Sequence, residues 1–139
     1  MTAEQVALLD LDALAAFWKS EIGQRIRAQA KFVKRELAFT ARFSAQAVGT
    51  LLGEPPGAGL SGEFVVVQGV ADLAVMLPQE IWLIDFKTDR VGPDELADKV
   101  KEYEPQLKIY ARALSQIYRR PVSACWLYFL SCQRTVAVT

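Results

Sequence analysis

From Leu11 to about Ala30, Leu14, Phe17, Trp18, Ile22 and Ile26 recur at steps of three and four. That period predicts one amphipathic helix, with Asp12 as its cap. The spacing then shortens to two. In "AKFVKRELAFTARF" the apolar Val33, Leu37, Phe39, Ala41 and Phe43 share one parity and polar residues fill most of the other, which predicts a strand. "GTLLGEPPGAGLSG", residues 49–62, is dense in Gly and Pro and predicts a flexible surface loop. It lacks the Gly-Lys-Ser/Thr of a phosphate-cradling P-loop, so no nucleotide site of that kind is expected there. Two further strands are predicted over Glu63–Leu77 and Ile81–Asp89, separated by Pro78 and Gln79.

"VGPDELADKV" then opens a long helix: Pro93 suits a first turn, and Asp94, Glu95 and Asp98 suit its positive end. Its stripe is Leu96, Val100, Tyr103, Leu107, Tyr110, Leu114 and Ile117, with Pro105 as an interior bend or a later start. "VSACWLYFL" and "TVAV" close the chain as a strand or hairpin. The order α-β-loop-β-β-α-β predicts an α/β fold, a mixed β-sheet flanked by helices.

Charges inside two of these strands are the anomaly. Asp72 interrupts one apolar run, and Asp85 and Lys87 interrupt the next. A hairpin centred on Pro78-Gln79 sets Leu77 opposite Glu80, Met76 opposite Ile81 and, continuing, Asp72 opposite Asp85. Opposed residues point to the same face with Cβ atoms about 4.5–5.5 Å apart. Lys87, two residues past Asp85, shares that face, while Phe86 points away with Ile84 and Trp82. Val70, Ala74 and Met76 are the expected neighbours of Asp72, so this is no solvated stripe. Like charges directly opposed are destabilising, and one Lys neutralises only one carboxylate. A hard divalent cation resolves the conflict, since Mg²⁺ takes one or two carboxylates, waters and phosphate oxygens.

Composition narrows the partners only a little. The 139 residues suffice for one domain with a real core, 52% apolar and 23% charged, as in an ordinary globular protein. Sixteen basic residues balance sixteen acidic ones, so any nucleic-acid surface must be local. No apolar run reaches the length of a membrane span, and "MTAEQVALLD" lacks a basic region followed by an apolar one, so no signal peptide is expected. Cys125 and Cys132 fit no metal or redox spacing and read as reduced thiols, so a cytoplasmic location is expected. There is no His, which removes the commonest general base.

"VVVQGVADLAV", "IWLIDFKTDRV" and "YEPQLKIYARAL" together resemble the PD-(D/E)XK nucleases, in the RecB-like branch. Within it they look like the nuclease domain at the C-terminal end of AddA-type helicase–nucleases. Gly-x-x-Asp, Asp-x-Lys-Thr and Gln-x-x-x-Tyr in this order are specific jointly and weak singly. "ALAAFWKSEIGQRI", "FVKRELAF" and "CWLYFL" extend the likeness over nearly the whole chain. The resemblance implies a restriction-endonuclease-like sheet. It also implies Asp72, Asp85 and the Phe86 backbone carbonyl as metal ligands, with Lys87 orienting the attacking water and steadying phosphate charge. Glu36, Gln106 and Tyr110 become accessory candidates, and Lys34, Arg35, Arg42 and Arg90 candidates for phosphate contact.

The expected activity is Mg²⁺- or Mn²⁺-dependent hydrolysis of single-stranded DNA during double-strand-break processing and repair. The implied partners are a helicase motor and a partner nuclease subunit; a membrane is not among them. Members of the family carry a metal-binding His on an upstream helix. Its absence predicts a single nuclease domain, residues 1–139, that begins after that helix as a C-terminal piece of a larger helicase–nuclease. Two other readings stand. One is a catalytically weak or inactive nuclease-like module binding DNA or a second protein of the assembly, and the other is a self-standing restriction-like endonuclease.

Overall fold

The computed structural model describes residues 3–51 and 64–138. Its elements are α1 (Ala3–Lys19), α2 (Glu21–Arg27), β1 (Val33–Ser44), α3 (Ala45–Leu51), β2 (Phe64–Met76), β3 (Ile81–Lys87), α4 (Leu96–Tyr118), β4 (Val122–Phe129) and β5 (Arg134–Val138). The strands form one mixed sheet in the order β1-β2-β3-β4-β5. Every neighbouring pair is antiparallel except β3 and β4, which α4 joins as a crossover. One face of the sheet packs on α4 through Ala74, Ile81, Leu83, Leu127 and Phe129 against Leu107, Ala113 and Leu114. The other packs on α1 and α2 through Leu73, Val75, Trp82, Ile84, Trp126 and Tyr128 against Phe17, Ile22 and Ile26.

The single helix expected from Leu11 to Ala30 is instead two. α1 starts well before Asp12, which is therefore interior and not a cap. It ends at Lys19, where Ser20 turns extended and its Oγ accepts the Gly23 N–H at 3.1 Å, starting α2 afresh. A Cβ at Gly23 would sit 2.0 Å from the Phe17 carbonyl oxygen, so only glycine lets the second helix begin this close to the first. The loop expected over residues 49–62 is also altered: Gly49–Leu51 end the short helix α3, and the remainder lies outside the described residues. α4 starts at Leu96, after a turn that holds Pro93, and continues through the exposed Pro105. The stripe holds as far as Leu114; Ile117 is 39% exposed, and Tyr118 packs inward in its place.

The strand parity changes where it matters most. Val33, Leu73 and Val75 face α1 and α2, whereas Leu37, Phe39, Ala71 and Val67 face α4. All are odd-numbered, so both strands reverse the phase of their pleat between these positions. The register runs from Arg35↔Leu73 to Leu37↔Ala71, which sets Glu36 across from Asp72 at the reversal. Glu36 has φ 49°, a left-handed conformation that re-aims the strand and is uncommon for any residue but glycine. Val33 therefore does not share a face with Leu37, and Val70 is not a buried neighbour of Asp72. Ala71 takes that place, and Val70 is exposed.

Candidate active site

The β2–β3 ladder keeps the register expected from the hairpin, from Met76↔Ile81 to Leu73↔Ile84, and stops there. Beyond that point β2 pairs only with β1, and β3 pairs with β4 through Asp85↔Leu127, Phe86↔Tyr128 and Lys87↔Phe129. Asp72 and Asp85 stand where the two strands part. The Asp72 carboxylate bridges the gap: its Oδ2 accepts the Phe86 N–H at 2.9 Å, taking the place of a lost strand partner. Asp85 Oδ2 pairs with Lys87 Nζ at 2.8 Å, both side chains being 16% exposed.

Phe86 fixes this segment from beneath. Its ring lies edge-on to Phe17, with centroids 4.8 Å apart, and to Tyr128 at 6.1 Å. Such pairs add about 0.5–1.5 kcal/mol each to simple burial. Anchoring Phe86 on the α1 side obliges Asp85 and Lys87 to project towards α4, as strand alternation requires.

Burial holds the Asp72 carboxyl at about 6, well above its usual range. The hydrogen bond to Asp85 and the repulsion from it act in the same direction; the Phe86 N–H and the Lys87 ammonium oppose them. The carboxylate pair is therefore short of positive charge despite Lys87. Its donors are hard oxygens, which suit a Mg²⁺-type ion completing its shell with water. Among the described residues no group of three or more His, Cys, Asp and Glu side chains has metal-binding spacing.

One participant was not singled out from the sequence. Tyr103, on α4, places its ring 4.0 Å from Lys87 Nζ and donates its hydroxyl to Asp89 Oδ2 at 2.6 Å. Asp89 also pairs with Lys99 at 3.4 Å. The Tyr103 hydrogen bond, followed by the contact with Lys99, holds the Asp89 carboxyl below its usual range. The signal was present: Tyr103 carries a hydroxyl at a stripe position, and a Tyr packed against a core brings a hydroxyl that seeks a partner.

The remaining candidates fall at varying distances from this cluster. Tyr110 packs its ring edge-on to Phe39 at 4.9 Å, over Gly69, where a Cβ would lie 2.6 Å from the tyrosine ring. A side chain at Gly69 would push aside that ring or the Phe39 ring, 2.8 Å away. Gln106 is exposed one turn after Tyr103, on the same side of α4. Lys34 is exposed on β1, and Arg35 stacks over the Trp18 indole at 5.4 Å on the α1 side. Arg42 lies over Phe64 at 3.8 Å, away from the carboxylates. Arg90 lines a shallow cleft with Gly92, Glu95 and Ser131. Cys125 and Cys132 are free thiols, and burial pushes Cys125 up to about 11.

Comparison with known proteins adds an independent line. The family model described as the PD-(D/E)XK nuclease superfamily matches residues 3–137. The chain is 38% identical over 130 residues to one subunit of the ATP-dependent helicase/nuclease of Moorella thermoacetica, covering 94% of this chain and 9% of that protein. It is 35% identical over 137 residues to the protein of the same name from Carboxydothermus hydrogenoformans, covering 97% and 11%. The corresponding protein of Syntrophomonas wolfei is 33% identical over 138 residues, covering 99% and 10%. The chain thus spans about a tenth of the length of these relatives.

Proposed function

The chain belongs to the PD-(D/E)XK nuclease superfamily, and from that premise we propose that it is a divalent-metal-dependent deoxyribonuclease module acting on single-stranded DNA. Its five-stranded mixed sheet with flanking helices is consistent with the restriction-endonuclease-like fold of that superfamily. The observation that carries the reading is the convergence of Asp72 and Asp85 at the parting of β2 and β3, with Lys87 beside them. The name of the relatives, helicase/nuclease, supports a module that works with a helicase motor, as in processing of broken DNA ends. A domain working alongside a motor and a second nuclease subunit, in the cytoplasm, completes the proposal; no helix of the described residues is long and apolar enough to cross a membrane.

Asp72, Asp85 and the Phe86 carbonyl would hold a Mg²⁺ or Mn²⁺ ion, which when bound supplies a low-pKa water and positive charge beside the phosphate. Net charge favours this arrangement. Two ionised carboxylates and one ammonium sum to −1, which repels a phosphodiester; a divalent cation makes the sum +1. Lys87 is held on the Tyr103 ring and against Asp85; in this reading its ammonium would steady the charge that a non-bridging phosphate oxygen gains as water adds to phosphorus and the P–O ester bond breaks. Tyr103 and Asp89 limit where that ammonium can go.

The deciding experiment measures cleavage of labelled single-stranded DNA with Mg²⁺ or Mn²⁺ by this chain and by Asp85→Ala. Cutting by the parent alone is the expected result. Equal cutting by both, or by neither, contradicts a nuclease centred on Asp85. The second reading, a nuclease-like module that binds without cutting, draws on the absence of His from the sequence and predicts the last of these outcomes.

A further inference from the structure

We propose that the cleft between α1, α2 and the edge strand β1 is a second contact site for single-stranded nucleic acid. There a base stacks on Trp18 while Arg27 and Arg35 hold the flanking phosphates. The inference rests on the nuclease reading for the identity of its ligand and on the following geometry for its place. The cleft encloses about 450 Å³ and is lined by Trp18, Arg27, Ala30, Val33 and Arg35. It therefore combines an indole face, two guanidinium groups and an apolar floor. That is the composition of a site for an unpaired strand, where stacking on aromatic rings is tolerant of sequence and cations track the backbone.

Charge is available to a ligand. Among the described residues, neither Arg27 nor Arg35 is in an ion pair, and both are exposed. The nearby Arg25 differs: its guanidinium lies over Trp82 and Trp126, at 4.5 and 5.5 Å, and helps close that surface. Arg35 lies over the Trp18 ring at 5.4 Å, which brings guanidinium and indole together at one place in the cleft; a base takes that place on the ring as the guanidinium turns to the flanking phosphate.

Position links the cleft to the carboxylates. Arg35 is directly across from Leu73 in the β1–β2 ladder, one residue from Asp72. Its Cα is thus about 6–7 Å from that of Asp72 by ordinary strand spacing. Because β1 is the edge of the sheet, a strand can pass over that edge from the α1 side to the α4 side. Lys34, the preceding residue, is exposed on the same edge, a further cation along that route.

The test is anisotropy of a fluorescent oligothymidylate bound to the 139-residue chain in EDTA, across a salt series. The Arg27→Ser/Arg35→Ser double variant is expected to bind at least about 10-fold more weakly, with a salt slope smaller by about 1.4, two single-strand phosphate contacts. Trp18→Leu should weaken binding several-fold and leave the slope unchanged. An Arg112→Ser/Arg134→Ser control, with the same change in charge elsewhere, should leave the affinity within about 2-fold. Melting curves confirm that each variant is folded. Parent-like affinity and slope in the Arg27/Arg35 variant overturn the proposal. So does an equal loss in the control, or the absence of binding by the parent chain. If the cleft variants weaken binding as stated while Asp85→Ala cuts like the parent, the oligonucleotide site stands and the nuclease centre falls.

Discussion

Two aspartates at either end of the same short segment meet opposite environments. Asp72, bridging to Phe86, is half-buried beside a second carboxylate and is held at about 6. Asp89, just past the end of β3, receives the Tyr103 hydroxyl and the Lys99 ammonium and is held below its usual range. Each region contains a Lys–Asp pair, so the motif "acid beside base" does not separate them. What separates them is burial and spacing: Asp89 shares Lys99 with Glu102 near solvent, where water screens the excess negative charge, whereas Asp72 is half-buried against the carboxylate of Asp85. Both clusters are formally one charge negative, but only around Asp72 does burial with a second carboxylate push a carboxyl up, which is the condition a divalent cation relieves.

That contrast can be broken or sharpened by substitution. The largest expected effect is on turnover. Lys87→Ala should lower cleavage by about 10²–10³-fold, the scale of a removed transition-state donor, whereas Lys99→Ala should stay within about 3-fold in the same assay. Next comes metal-linked stability. Mn²⁺ at 100 times the parent's dissociation constant should stabilise the parent by about 2.7 kcal/mol in thermal unfolding and Asp85→Asn by no more than about 1.4 kcal/mol.

Smaller again is the intrinsic effect of the strained carboxyl. A folded pKa above the unfolded one means that the native state binds the extra proton, so this group favours folding below about pH 4. The benefit is lost as pH rises through about 6. Without metal, Asp72→Asn should therefore raise stability at pH 7 by about 1–2 kcal/mol, and the difference should vanish towards pH 4 in denaturant titrations. Asp89→Asn has the opposite sign. Its depressed pKa contributes stability above the unfolded value that disappears on acidification, and solvent exposure keeps the loss at pH 7 under about 1 kcal/mol.

Much of this was legible from residue spacing. The hairpin register around Pro78-Gln79 follows from two apolar runs and a short polar link, and the observed ladder keeps it. The opposite facing of Phe86 follows from strand alternation alone. Other features were hidden for physical reasons. A pleat reversal at Glu36 needs a positive φ on a residue with no special liking for it, so periodicity placed Val33 and Val70 on the wrong faces. The break at Ser20 was carried by a side-chain cap and by a glycine whose value is a close approach between helices, and neither interrupts the apolar rhythm. Tyr103 looked like core because it packs, half-buried, against the core; its second role depends on Lys87 and Asp89, which reach it only through the fold.

The central claim is that Asp72 and Asp85 together bind one divalent cation. Calorimetric titration of Mn²⁺ into the parent chain, Asp72→Asn, Asp85→Asn and Asp89→Asn tests it without requiring catalysis. The account predicts one site in the parent, retained in Asp89→Asn and weakened at least about 10-fold in each of the other two. Equal Mn²⁺ affinity in all four proteins, or loss in Asp89→Asn alone, would contradict it.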